Sequence, residues 1–208
     1  MRPISFTRSQ PAADADSVAA AQLNNSAVVA INGSLAVGGV ATLTVPAYLT
    51  VFSEKSATVN FIVTGTAPSG AAQVETLALT ASGTLTGALS FATVTGVTSS
   101  APTSATISIG NAVTGYTGWI PMDIYTPNQV TTISAKTSGT VNYSVEYTNE
   151  DPFDTSIVQM AVPHPNGSLT AATGDETQFT TTLMRAVRLK INSGSGSVRF
   201  TIVQQSTK

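Results

Sequence analysis

The chain contains no cysteine, one histidine and one tryptophan. Without cysteine it can form no disulfide, no thiolate metal site and no cysteine nucleophile. Charge is the larger deficit. Asp, Glu, Lys and Arg make up 10% of the 208 residues, against roughly 25% in an ordinary globular domain. Residues 17–53 and 76–122 carry no charged side chain at all. The balance of 9 basic and 11 acidic groups leaves a net charge of -2. That balance gives no electrostatic footprint for nucleic acid or an anionic membrane. No run approaches the ~18 consecutive apolar residues of a membrane span. Arg2 and Arg8 have no apolar run behind them, so the first residues do not read as a secretory signal. The mean hydropathy of +0.20 comes from Ala and Val dispersed among hydroxyls.

What fills the charge-free stretches is Thr, Ser, Ala, Val and Gly. Such a composition suits short β-strands whose outer faces carry hydroxyls and methyls. Low charge also weakens repulsion between copies, so a lone monomer should tend to associate. The fold expected is all-β: two tandem β-sandwich-like domains after an extended N-terminal arm. The arm covers 1–24, the first domain 25–115 and the second 116–208. Pro3, Pro11 and the Asp14/Asp16 pair interrupt any regular pattern in the arm, and only Asp16 to Leu23 could turn helically, with Asp16 as N-cap. An arm of this kind is often ordered only against a neighbour.

Strict alternation marks the strands. Val59, Phe61 and Val63 point one way, Thr58, Asn60, Ile62 and Thr64 the other. Val141, Tyr143, Val145 and Tyr147 alternate with Asn142, Ser144 and Glu146. Val187, Leu189 and Ile191, a Gly/Ser turn over 192–197, and Val198, Phe200 and Ile202 predict a hairpin. Residues 58–66 and 140–148 agree at six of nine positions, counting Phe61 and Tyr143 as alike. Either the halves share a topology, or Thr-Val-aromatic alternation recurs by chance.

No catalytic or cofactor-binding constellation stands out. Glu150, Asp151 and Asp154 could offer oxygens to calcium, but their spacing matches no EF-hand or repeat-type loop. A solvated turn folded down by Phe153 is the preferred reading, and Asp175-Glu176 reads as another loop tip. His164 lies between Pro163 and Pro165, which predicts a surface turn rather than the packed histidine of a catalytic triad. The glycines lack the Lys-Ser/Thr of a phosphate loop. Trp119 with Tyr116 and Tyr125 could form an exposed platform for a sugar ring, or pack into the second domain's core or a domain interface, which is preferred. Arg185, Arg188, Lys190 and Arg199 gather on the predicted hairpin and are expected to face Glu146 or an acidic neighbour. The candidate partner-binding residues are Arg2, Arg8, Trp119, Tyr125, Arg188, Lys190 and Arg199.

Residues 119–125, 139–148, 151–154, 163–165 and 193–198, with Gln204, resemble small virion proteins of tailed bacteriophages. Phe61 to Thr66, Glu75-Thr76 and Phe91 to Val97 resemble a module common in phage structural proteins. The resemblance implies a non-enzymatic, β-rich particle component at the tail, neck or head, assembled in the host cytoplasm. It supplies no active site to carry over. Its partners would be other virion proteins and further copies of itself, tied by the arm. The alternative is a carbohydrate- or receptor-binding module built on the aromatic trio.

Overall fold

The computed structural model describes residues 3–56, 58–125, 130–154 and 157–204. In chain order its strands are β1 (Ile4–Ser9), β2 (Asp14–Leu23), β3 (Ala36–Val37), β4 (Val40–Ser53), β5 (Val59–Thr66), β6 (Ala72–Leu79), β7 (Gly83–Ser99), β8 (Thr106–Asn111), β9 (Gly115–Tyr116), β10 (Ile120–Pro121), β11 (Thr131–Ser138), β12 (Val141–Thr148), β13 (Val162–Pro163), β14 (Glu176–Thr180), β15 (Ala186–Gly194) and β16 (Ser197–Gln204). Among the described residues there is no α-helix, only a 3-10 turn at Gly167–Leu169. The protein is all-β. It divides into two compact units, residues 11–115 and residues 1–10 with 116–208.

The first unit is one seven-stranded sheet in the order β2-β8-β4-β7-β5-β6, with β3 beside β4. Its two long strands each serve two neighbourhoods. The first part of β7 pairs with β4 and its last part with β5. Pro46 falls inside β4, within the register break between Thr42 and Ala47; without an N–H, proline fits where a ladder is interrupted. The curled sheet gathers Val59, Phe61, Val63, Leu77 and Leu79 into one core with Val18, Leu49, Val51, Ile107 and Ile109. Each fully buried Phe, such as Phe61 and Phe91, contributes about 2 kcal/mol by leaving water.

The second unit is a sandwich of two sheets. One has the order β1-β16-β11-β14; the other has β10-β15-β12-β13, with β9 on β15. Ile133, Val198, Phe200 and Ile202 from one sheet share a core with Tyr143, Val145, Leu189 and Ile191 from the other. Phe6 packs edge-on against Phe200, ring centres 5.6 Å apart.

Three expectations are corrected here. The described part of the expected arm, residues 3–24, pairs within the chain. β1 pairs with β16 from Ile4–Ile202 to Ser9–Ser197, and β2 pairs with β8. The alternation of Ile4, Phe6 and Arg8 gives β1 an inward face, and residues 16–23 are strand rather than helix. The predicted hairpin of β15 and β16 is instead a corner, since the two strands lie in different sheets. Alternating apolar residues suit both arrangements, because the inward sets meet across the core as readily as side by side. β11 and β12 make a second such corner, and the two corners stack. Ser138 pairs with Ser197 and Val141 with Gly194, while Ser195 N and Gly196 N both donate to Thr140 O at 2.7 and 2.8 Å. Finally, the two units have different strand orders, so the repeated motif in β5 and β12 does not mark a shared topology.

Candidate functional site

One enclosed polar group on the second unit is built on neighbouring strands. Pairing of β12 with β15 sets Glu146 directly opposite Arg188. Arg188 Nε donates to Glu146 Oε2 at 2.7 Å, its Nη2 lies 2.6 Å from the same oxygen, and Lys190 Nζ is 3.6 Å from Oε1. The guanidinium carbon sits 3.8 Å from the Tyr116 ring centre and 4.5 Å from that of Trp119. Thr117 fixes these rings on β15 by donating its N–H to Leu189 O (2.9 Å) and accepting from Leu189 N at Oγ1 (3.1 Å). A cation over two rings beside a carboxylate is a mutually satisfied group. Tyr116 is buried and Trp119 half-buried, whereas Tyr125 is 91% exposed. The three aromatics therefore do not form an open platform; Arg188 occupies ring faces of two of them.

The basic residues expected on one face are dispersed. Arg185 pairs with Asp151 at 3.2 Å. Arg199 lies on β16 opposite Lys136, in the other sheet from Arg188 and Lys190. Arg8 is inward-facing and only 7% exposed, and burial lowers its guanidinium pKa to about 10. It is not an exposed docking cation. Arg2 lies outside the described residues.

Arg199 and Lys136 line an open polar cleft of about 240 Å³ with Asp175, Glu176 and the hydroxyls of Ser134, Thr177 and Thr201. The cleft's groups largely bond one another. Ser134 and Thr177 share a hydroxyl pair at 2.9 Å, as do Ser5 and Thr201. Asp175 Oδ1 accepts from Thr137 N at 2.7 Å and Oγ1 at 2.9 Å. Those bonds, with the charges of Lys136 and Arg199, hold its carboxyl below the usual range.

The acidic turn is turned on itself. Glu150 accepts from Met160 N, Asp151 Oδ1 accepts from Phe153 N at 3.0 Å, and Gln159 Nε2 donates to the carbonyls of Asp151 and Asp154 at 3.1 and 2.6 Å. Among the described residues, no three of His, Cys, Asp and Glu are grouped to hold a metal ion. Phe153 does not anchor the turn; it is 75% exposed. Ile157, Val158 and Met160 are exposed on the same braced loop. Sequence alone gives no sign of this feature, because residues 157–162, apolar except for Gln159, carry no mark of which way they face.

His164 departs furthest from expectation, being 3% exposed. Its backbone N–H donates to Val145 O (2.9 Å). Nδ1 accepts from Asn166 N at 3.1 Å, and Asn166 Nδ2 donates to Gln178 Oε1 at 2.7 Å. Among the described residues, the buried Nε2 has no hydrogen-bond partner. Burial accordingly lowers the imidazole pKa from 6.5. The unfolded chain then binds a proton that the folded chain resists, so stability is full above about pH 6.5 and falls as pH drops below it. Glu75, raised by burial, acts with the opposite sign. Thermal midpoints of the protein and of His164→Gln should therefore diverge between neutral and acid pH, with the variant losing less on acidification. Parallel profiles would rule out a buried, neutral imidazole.

The chain matches no family model, no curated protein and no solved structure.

Proposed function

We propose that this chain is a non-enzymatic structural subunit of a tailed-bacteriophage particle, a tail or neck accessory or a head decoration component that binds other particle proteins. The supporting observation is the loop carrying Phe153, Ile157, Val158 and Met160. Its apolar side chains are exposed, while Gln159 and the Met160 N–H bond to Asp151, Asp154 and Glu150. A group of exposed large apolar side chains marks an interaction surface. The low charge of the chain and the resemblance of its motifs to virion proteins agree with that reading. The reactive side chains also have little to act with: the one imidazole is buried and the acidic turn is engaged by its own loop.

The test is incorporation into particles. The double variant Phe153→Ser, Val158→Ser should reduce the copies retained on purified particles by roughly ten-fold or more, since each such side chain contributes about 1.5 kcal/mol or more when buried. Its thermal midpoint should match that of the unaltered chain. Undiminished retention would remove the loop from the contact, and absence of the unaltered chain from particles would overturn the reading.

A further inference from the structure

The seven-stranded sheet ends in two edges that are treated differently. The outward side of β2 is closed by the segment 30–35. Gly33 N and Leu35 N donate to the carbonyls of Val18 and Ser17 at 3.0 and 2.9 Å. Asn32 Oδ1 accepts from Ala20 N at 3.0 Å, and the Gln22 side chain bonds both N–H and C=O of Ala30 at 3.2 and 2.9 Å. β6, at the opposite edge, has no such cover. It pairs with β5 in unbroken register from Val59–Leu79 to Thr66–Ala72. Among the described residues, no backbone hydrogen bond reaches its other side.

β6 also lacks the features that usually blunt an edge: it has no lysine, no proline and no bulge. Its one charge, Glu75, turns inward, where its carboxylate accepts from Ala88 N (2.6 Å) and Leu89 N (3.1 Å). Val74, Thr76 and Ala78 face outward and are exposed, beside an exposed Ile62 on β5. An unbroken edge strand with no charged side chain on its outward face is a template for strand addition.

We propose that this edge binds β6 of a second copy of the chain, antiparallel about a two-fold axis through Thr76, joining two seven-stranded sheets. The proposal rests on reading the chain as an assembly subunit and specifies one contact by which copies associate. The strand is its own complement. Period-two alternation requires inward residues to lie opposite inward ones, so a two-fold axis must pass through a residue and not between two. Axes at Glu75 and at Thr76 pair equally long stretches. An axis at Glu75 sets two carboxylates against each other, which is unfavourable. The axis at Thr76 instead places Glu75 opposite Leu77 and Val74 opposite Ala78, with no like charges facing. Glu75 thus selects the register.

Thr76 is exposed, so charge can be introduced there without disturbing the core. Sedimentation of the full chain at tens of micromolar should show a dimer. Thr76→Lys and Thr76→Glu, each placing like charges across the axis, should each weaken self-association by roughly 100-fold. An equimolar mixture of the two variants should restore it, because opposite charges then meet at the axis. Self-association unaffected by either variant, or no recovery on mixing, would overturn the β6 contact while leaving an oligomeric assembly subunit intact. A chain monomeric throughout would also overturn it, and retention on particles would then decide the broader reading separately.

Discussion

Replacing Gly194 with alanine should lower the melting temperature of the two-sheet unit by more than about 10 °C, corresponding to a loss of roughly 3 kcal/mol. Gly194 ends β15 at the corner where the chain leaves one sheet for the other. Its φ is +113°, which L side chains rarely adopt. An added Cβ would lie 2.3 Å from Thr140 O and 2.7 Å from Val141 Cα. Neither neighbour can yield easily, since Thr140 O receives the N–H groups of both Ser195 and Gly196. Backbone strain and steric overlap therefore add. Gly38→Ala, in the other unit, shows the backbone preference alone: φ there is +61°, with nothing within 4 Å of the added carbon. It should cost only the backbone preference, about 1 kcal/mol. Calorimetry reads each loss on the transition of its own unit, and a loss at Gly194 no larger than that at Gly38 would mean that the stacked corners do not hold the sandwich together.

That corner also marks the limit of what could be read from residues alone. The alternation of Val59, Phe61 and Val63, and of Val141, Tyr143 and Val145, states which side chains go inward, and the structure buries all six. Alternation does not say which strand lies alongside. Val187 to Ile191 and Val198 to Ile202 have the pattern of a hairpin, but β15 takes β12 as neighbour and β16 takes β1 and β11. Pairing partners are non-local and leave no local mark. The same holds for Asp16 to Leu23, whose Ala-rich composition favours a helical turn until β8 offers a ladder. Arg8 was legible in principle, because Ile4, Phe6 and Arg8 share the inward side of one strand. His164 was not, since its burial follows from a bond to Val145 that turn chemistry does not predict. At the candidate site, opposition of Arg188 and Glu146 could be anticipated from charge. Closure of Tyr116 and Trp119 over the guanidinium depends on Thr117 docking to β15, which has no sequence signature.

Glu146→Gln should destabilise the second unit by about 3 kcal/mol, more than expected from losing a surface ion pair. The carboxylate and guanidinium are 13% and 12% exposed, and Lys190 adds a second cation within 3.6 Å. Removing the carboxylate charge leaves Arg188 enclosed by two rings with an uncompensated charge and a like charge beside it. An exposed pair such as Arg185 with Asp151 can return to water when broken and is worth well under 1 kcal/mol. The enclosed group cannot. Removing the trapped cation as well should therefore rescue most of the loss, so Glu146→Gln, Arg188→Met should lie within about 1 kcal/mol of the unaltered protein. Denaturant unfolding followed by tryptophan fluorescence reads this cycle locally, because Trp119 is the chain's one indole and rests against the substituted group. Additive losses from the two substitutions would mean that Glu146 and Arg188 act as independent solvated charges, and the enclosure by Tyr116 and Trp119 would then carry no energetic weight.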